Sequence, residues 1–183
     1  MSGHIILIGY RGSGKTTVGR RLAARLGRAF VDADEHLEAA AGKSIREIFA
    51  AEGEPGFRDR EEATITELTT LPDAVLATGG GAVLREANRD RLRAAGFVVW
   101  LTADPHTLWE RLQTDAATRE RRPDLAGGGL DEVTRLLAVR TPLYRGLADL
   151  EIPAGEMSPD VAADRILAEW AARQAARLPP SPA

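Results

Sequence analysis

The sequence contains no cysteine and only two lysines, Lys15 and Lys43, among its 24 basic residues. Without cysteine there is no disulfide framework, thiolate-bound zinc, iron–sulfur cluster or thiol nucleophile, which is compatible with a reducing compartment. The three histidines, His4, His36 and His106, are too scattered to suggest a His-rich metal site. The longest apolar runs, residues 5–8 and 97–101, are strand-sized and far below the roughly 20 residues of a membrane span. No basic segment precedes the first of them, so a secretory signal is not expected. The net charge of −3 lacks the basic excess of a phosphate-backbone binder, which argues against a nucleic-acid partner. These absences leave a soluble cytoplasmic protein, without a membrane partner, as the expectation.

With 183 residues, 44% of them hydrophobic, the chain is long enough for one well-packed domain. Residues 4–9 form a β-branched apolar run ending in Gly9, the pattern of a strand buried on both faces. Val18, Leu22 and Leu26 then repeat on one helical face, with Gly27 as the stop. Further strands are expected over 29–33, 74–78 and 97–102, and helices over 57–71, 86–95 and from Pro105, where Asp104 provides an N-cap. This alternation predicts an α/β fold, a parallel sheet with helices on both faces. Residues 131–147 read as a helix kinked by Pro142, and 159–177 as an amphipathic helix with Ala162, Ile166 and Trp170 on one face. The expected organisation is a single domain over 1–177 and a disordered, Pro-rich tail over 178–183. Within the domain, residues 115–130, rich in arginine and glycine, form a mobile surface loop.

Gly9-Tyr-Arg-Gly-Ser-Gly-Lys15-Thr16 fits G-x-x-x-x-G-K-[ST] between a strand and a helix, the context that the motif requires. At this composition about 0.002 matches are expected by chance, so a plain glycine turn is a poor explanation. In such a P-loop, backbone N–H groups and the helix dipole cradle phosphates. Lys15 reaches the β- and γ-phosphates, and the Thr16 hydroxyl ligates Mg²⁺. The strand over 74–78 ends in Gly79-Gly80-Gly81 rather than in an acid, and Asp104 is better explained as a cap. Asp32 and Asp34 are the better acids. Placed at i and i+2 at the end of a short strand, they would project to one side. The alternative is a pair of solvated loop acids, with Asp34 capping a helix through Glu38.

The sequence resembles the shikimate kinase family of nucleoside-monophosphate-kinase-like P-loop enzymes. The resemblance runs from Ile5 to about Trp170 and is carried by ordered motifs: residues 9–17, Asp32-Ala-Asp34, Gly56-Phe-Arg-Asp-Arg-Glu61, Thr78-Gly-Gly-Gly-Ala82, Arg122-Pro123 and Arg140-Thr-Pro-Leu-Tyr144. It implies ATP-dependent phosphorylation of the 3-hydroxyl of shikimate, on the route to chorismate and the aromatic amino acids; a monomer is the separate expectation. By the resemblance, ATP is held by Gly12, Ser13, Gly14, Lys15, Thr16, Thr17, Arg111 and Arg122. Arg111 stacks on adenine, and Arg122 closes over the phosphate from a lid at about 115–130. Mg²⁺ is held by Thr16 and, through water, Asp32. Shikimate is held by Asp34, Phe49, Phe57, Arg58, Gly80, Gly81 and Arg140 in a region at about 32–62. Lys15, Asp34 and Arg122 are the implied catalytic residues, with Asp34 the candidate base.

The chemistry of these residue types agrees. A small carboxylic acid calls for the planar fork of arginine, with charge-assisted bonds of about 1.5–3 kcal/mol. A triple glycine lets backbone approach a ring, and a lid excludes water. In a chain so rich in arginine, surface ion pairing is the base expectation, and Arg85, Arg89, Arg91 and Arg93 are assigned to it. Asp124 departs from the apolar residue more usual after the lid proline, and Arg119 and Arg121 compete with Arg122 for the lid role. Two other readings stand beside this one: a kinase of the same architecture for another acceptor, such as gluconate or a nucleotide, and a non-catalytic shikimate or nucleotide sensor. Arg58, Arg140 and Gly79 to Gly81 argue against the former. A complete set of Lys15, Asp32, Asp34 and lid arginine argues against the latter.

Overall fold

The computed structural model describes residues 3–114 and 128–177. Five strands form one fully parallel sheet in the order β2-β3-β1-β4-β5: β1 (His4–Ile8), β2 (Phe30–Asp32), β3 (Val75–Ala77), β4 (Gly96–Leu101) and β5 (Leu150–Ile152). The described helices are α1 (Lys15–Leu26), α2 (Ala33–Ala41), α3 (Ile45–Leu68), α4 (Glu86–Ala95), α5 (Pro105–Thr114), α6 (Gly129–Leu147) and α7 (Pro159–Arg177), with a 3-10 turn at Ala82–Leu84.

Alternation along the central strand builds both faces. Ile5 and Leu7 join Val18 and Leu22 of α1 and Ala162, Ile166 and Trp170 of α7 in one apolar cluster. Ile6 and Ile8 join Ile65 and Leu68 of α3, Leu92 of α4 and Tyr144 and Leu147 of α6 in another. A strand buried on both sides must be apolar at every position, which is why β1 reads as an unbroken run. A third, smaller cluster of Leu37, Ile45, Ile48, Phe49 and Phe57 lies among α2 and α3, away from the sheet.

The α/β parallel sheet, the Gly27 stop, the apolar face of α7 and the Asp104 cap agree with expectation. The Thr107 backbone N–H donates to Asp104 Oδ1 at 3.0 Å. Four readings are corrected. The expected helix over 57–71 is the second half of α3, which begins at Ile45 behind a capping box of Ser44 and Glu47 and ends at Leu68. β2 stops at Asp32, so Asp34 lies in the first turn of α2 and not on the strand. Strand alternation therefore does not align the two acids. The helix over 131–147 starts at Gly129. The last strand of the sheet, the three-residue β5, was not expected. Residues 115–127 of the expected loop over 115–130, with Arg119, Arg121 and Arg122, and the tail over 178–183 lie outside the described residues.

Candidate active site

Parallel strands bring their carboxyl ends to one edge of the sheet, where open α/β folds bind their ligands. Here β1 leads into the phosphate loop, β2 ends at Asp32, and β3 leads into Thr78 and the three glycines. These segments line a cleft of about 430 Å³.

On one side the loop wraps the start of α1. Gly9, Gly12 and Gly14 have φ of 141°, 79° and 94°, and Gly14 caps the helix with no side chain of its own to block the approach of an anion. Lys15 Nζ donates to the carbonyls of Gly9 and Tyr10, both at 2.9 Å, which holds the ammonium across the loop. The Thr16 hydroxyl donates to Asp32 Oδ2 at 3.0 Å, and Asp32 Oδ1 accepts the Asp34 N–H at 3.0 Å. Asp32 is thus the N-cap of α2, and it is this cap, with Asp34 two residues on, that puts both acids in the cleft. The alternative in which Asp34 caps through Glu38 is set aside, since Glu38 accepts instead from the Ile45 N–H at 2.9 Å. Burial, and then the Asp34 carboxylate, push the Asp32 carboxyl above the usual carboxylate range, against the Thr16 hydrogen bond and the Lys15 charge, which lower it.

Arg58 and Arg140 are both buried and both line the cleft. Arg58 Nη1 donates to Glu61 at 2.6 Å, while Nη2 and Nε donate to Glu54 at 3.0 and 3.3 Å. The Glu61 side chain is 4% exposed and that of Glu54 53%, so one carboxylate is a fixed partner and the other faces water. Gly81 makes room for this guanidinium: a Cβ there would lie 2.4 Å from Nη1. Arg140 Nη1 donates to the Gly80 carbonyl at 3.3 Å, and the same oxygen accepts the Tyr144 hydroxyl. Arg111 spans the far end, donating to the carbonyls of Gly12 at 3.3 Å and Ala154 at 3.4 Å.

Gly12, Gly14, Lys15, Thr16, Thr17, Asp32, Asp34, Arg58, Gly80, Arg111 and Arg140 of the expected site line one cleft. Ser13, Gly81, Phe49 and Phe57 do not line it. Ser13 is buried in the loop, and the two rings stack at 4.6 Å within the small cluster, because burial in that cluster takes up the apolar surface expected to face the ligand. Arg122 lies outside the described residues. Of the arginines assigned to the surface, Arg85, Arg91 and Arg93 make carboxylate pairs, but Arg89 donates to the Val83 and Leu84 carbonyls and closes the 3-10 turn. The cleft also holds Tyr10, Arg11, Thr78, Thr114, Glu132 and Leu136. Tyr10 and Arg11 fill unconstrained positions of the loop motif, and no pattern marks Glu132, so motif reading passes over them. Among the described residues no group of three His, Cys, Asp or Glu could hold a metal.

A family model described as shikimate kinase matches residues 11–171. A shikimate kinase of Rhodopirellula baltica is 49% identical over 158 residues, 86% of this chain and 84% of that protein. A solved structure of the Acinetobacter baumannii shikimate kinase in complex with shikimate superposes with a TM-score of 0.88 at 38% identity, covering 94% of this chain and 95% of that one. A gluconokinase structure from Sinorhizobium meliloti, at a TM-score of 0.54 and 16% identity, shares the fold.

Proposed function

Because this chain belongs to the shikimate kinase family, we infer that it transfers the terminal phosphoryl group of ATP to the 3-hydroxyl of shikimate, giving shikimate 3-phosphate and ADP. The observation that carries this reading is that the phosphate loop, Asp34, Arg58 and Arg140 line a single cleft. A phosphate cradle and a carboxylate grip in one cleft suit a phosphoryl donor and a small hydroxy acid.

The loop amides and Lys15 hold the phosphates, and Arg111, tied to the loop before α7, borders the base. Arg58 and Arg140 grip the substrate carboxylate, and Asp34 orients the acceptor hydroxyl or takes its proton. Phe49 and Phe57 act from behind, as the packing that fixes Arg58, whose carbon lies 5.1 Å from the Phe57 ring centroid. The backbone of Gly80 and Gly81 borders the ring, and Arg122 serves as the arginine closing over the phosphate.

Thr16 and Asp32 suit Mg²⁺: a hydroxyl and a carboxylate oxygen 3.0 Å apart are hard donors, and this ion takes one or two protein oxygens and fills its shell with phosphate and water. Bound there, Mg²⁺ supplies charge neutralisation at the phosphates. The reading is completed by one domain over 1–177, a monomer in the cytoplasm, and no nucleic-acid or membrane partner. No described helix is long and apolar enough to cross a membrane.

A coupled ADP-release assay over an acceptor panel tests the function. Release with shikimate and not with gluconate or nucleoside monophosphates is expected. Release with gluconate alone would favour another acceptor class, and tight shikimate binding without ADP would make the protein a sensor.

A further inference from the structure

The phosphate loop carries a second cation. Arg11 lies between Tyr10 and Gly12, lines the cleft and has a side chain 23% exposed. Its backbone N is 3.3 Å from where a Cβ on Gly80 would stand, so it sits where the loop meets the acceptor-side glycines. The guanidinium carbons of Arg11 and Arg140 lie 5.7 and 5.6 Å from the centroid of the same ring, Tyr10. Arg11 therefore stands on the seam between the phosphate cradle and the carboxylate grip.

The other cleft cations are committed. Lys15 bonds two loop carbonyls, Arg58 two carboxylates, Arg140 the Gly80 carbonyl, and Arg111 the carbonyls of Gly12 and Ala154. Among the described residues the Arg11 guanidinium makes no hydrogen bond. Its charge partner is Glu132 of α6, with Nη2 3.6 Å from Oε1, too long for a hydrogen bond. The Glu132 side chain is only 2% exposed, its Oε2 accepts the Gly128 N–H at 3.1 Å, and its Oε1 has no hydrogen-bond partner among the described residues. A carboxylate so buried needs a cation beside it, and among the described residues Arg11 is the one paired with it. A tight bidentate pair would lock the guanidinium; this loose one keeps it in the cleft with its donors available.

We propose that Arg11 contacts the terminal phosphoryl group of the bound nucleotide as a second cation of the phosphate loop, and that Glu132 is the positioning residue that holds it there. The proposal rests on the ATP-dependent reading above. On nucleotide binding the guanidinium exchanges a distant carboxylate for phosphoryl oxygens, whose spacing its planar fork matches and an ammonium does not. ADP lacks that group, so the contribution of Arg11 is specific to ATP.

The test uses the full chain and calorimetric titration of ATP and of ADP with Mg²⁺ and no acceptor, followed by kcat and KM with shikimate. Arg11→Met is expected to weaken ATP binding about tenfold, the size of one charge-assisted hydrogen bond, and ADP binding less than about twofold. Its kcat should fall while KM for shikimate stays within about threefold. Arg11→Lys should recover part of the preference for ATP. Glu132→Gln, whose amide oxygen can still accept from Gly128, should lower that preference by a smaller factor and add nothing in the Arg11→Met background. Equal weakening of ATP and ADP in Arg11→Met, or an unchanged ratio, overturns the proposal for Arg11. Full additivity of the two substitutions overturns the role of Glu132. The acceptor-free titrations decide these points even if the acceptor is not shikimate, which the wild-type panel alone decides.

Discussion

At the scale of single residues, Asp32 carries the sharpest conflict between stability and function. It caps α2, bonds Thr16 and lies beside Asp34, and burial raises its carboxyl above the ordinary value of 3.8. A folded pKa above the unfolded one means that the native state binds the proton more tightly, so the ionised group destabilises the ligand-free protein. That penalty is absent well below 3.8 and complete once the pH exceeds the raised value. Asp32→Asn keeps the cap and removes the charge. Without nucleotide it should melt above wild type at neutral pH, with the gap closing as the pH falls toward about 4, while Mg²⁺ affinity drops about 10- to 100-fold. Melting curves across that range and a Mg²⁺ titration check this; a gap independent of pH would sink it. Arg58→Lys tests the carboxylate grip. It should raise KM for shikimate and leave KM for ATP nearly unchanged, since only the bidentate fork is lost, and equal changes in both would refute the assignment. Lys15, Thr16 and Asp32 are legible in the sequence because their chemistry constrains residue type at fixed spacing. Arg11 is not, because the motif accepts any residue there, and Glu132 reaches the cleft only through the packing of α6.

At the scale of elements, α3 is two helices joined at Gly53, whose φ of 67° and ψ of −175° belong to a region open almost only to glycine. Arg58 follows five residues on, so the break sets the direction of the second helix, from which Arg58 reaches the cleft. A Cβ at Gly53 would meet only Pro55 Cδ, at 3.6 Å, an ordinary contact, so the cost of Gly53→Ala is conformational and not steric. About 1–3 kcal/mol of stability should be lost, with a raised KM for shikimate and ADP affinity unchanged, measured by denaturation and titration. Loss of ADP affinity in step would mean that the break supports the whole cleft. Longer elements with strong periodicity, α1 and α7, are legible because one face meets a large core. α2 buries only Ala33 and Leu37, too few points for a period, and β5 has three residues. The first half of α3 is announced by the spacing of Ser44 and Glu47, a capping-box signal that apolar periodicity does not contain.

At the scale of the molecule, the apolar clusters divide the labour. Two of them clamp the sheet, and a small one among α2 and α3 packs beneath the acceptor wall. A unit with few buried side chains opens more readily than the sheet. Saturating shikimate should therefore slow amide exchange across residues 33–62 well beyond its effect on β1, β4 or α7, as followed by hydrogen-exchange mass spectrometry; uniform protection would contradict the division. Architecture at this scale is legible from strand and helix alternation, whereas the separate small cluster is visible only once Leu37, Ile48 and Phe57 are seen to meet. The acceptor wall also leaves the sheet from β2 and returns through β3, and these strands are paired neighbours, with Asp32 opposite Ala77. Everything between them is a cassette spliced into the sheet at adjacent positions. Exchanging that cassette for the matching segment of another kinase of this fold offers a route to redirecting the enzyme to a new alcohol while its triphosphate machinery stays untouched.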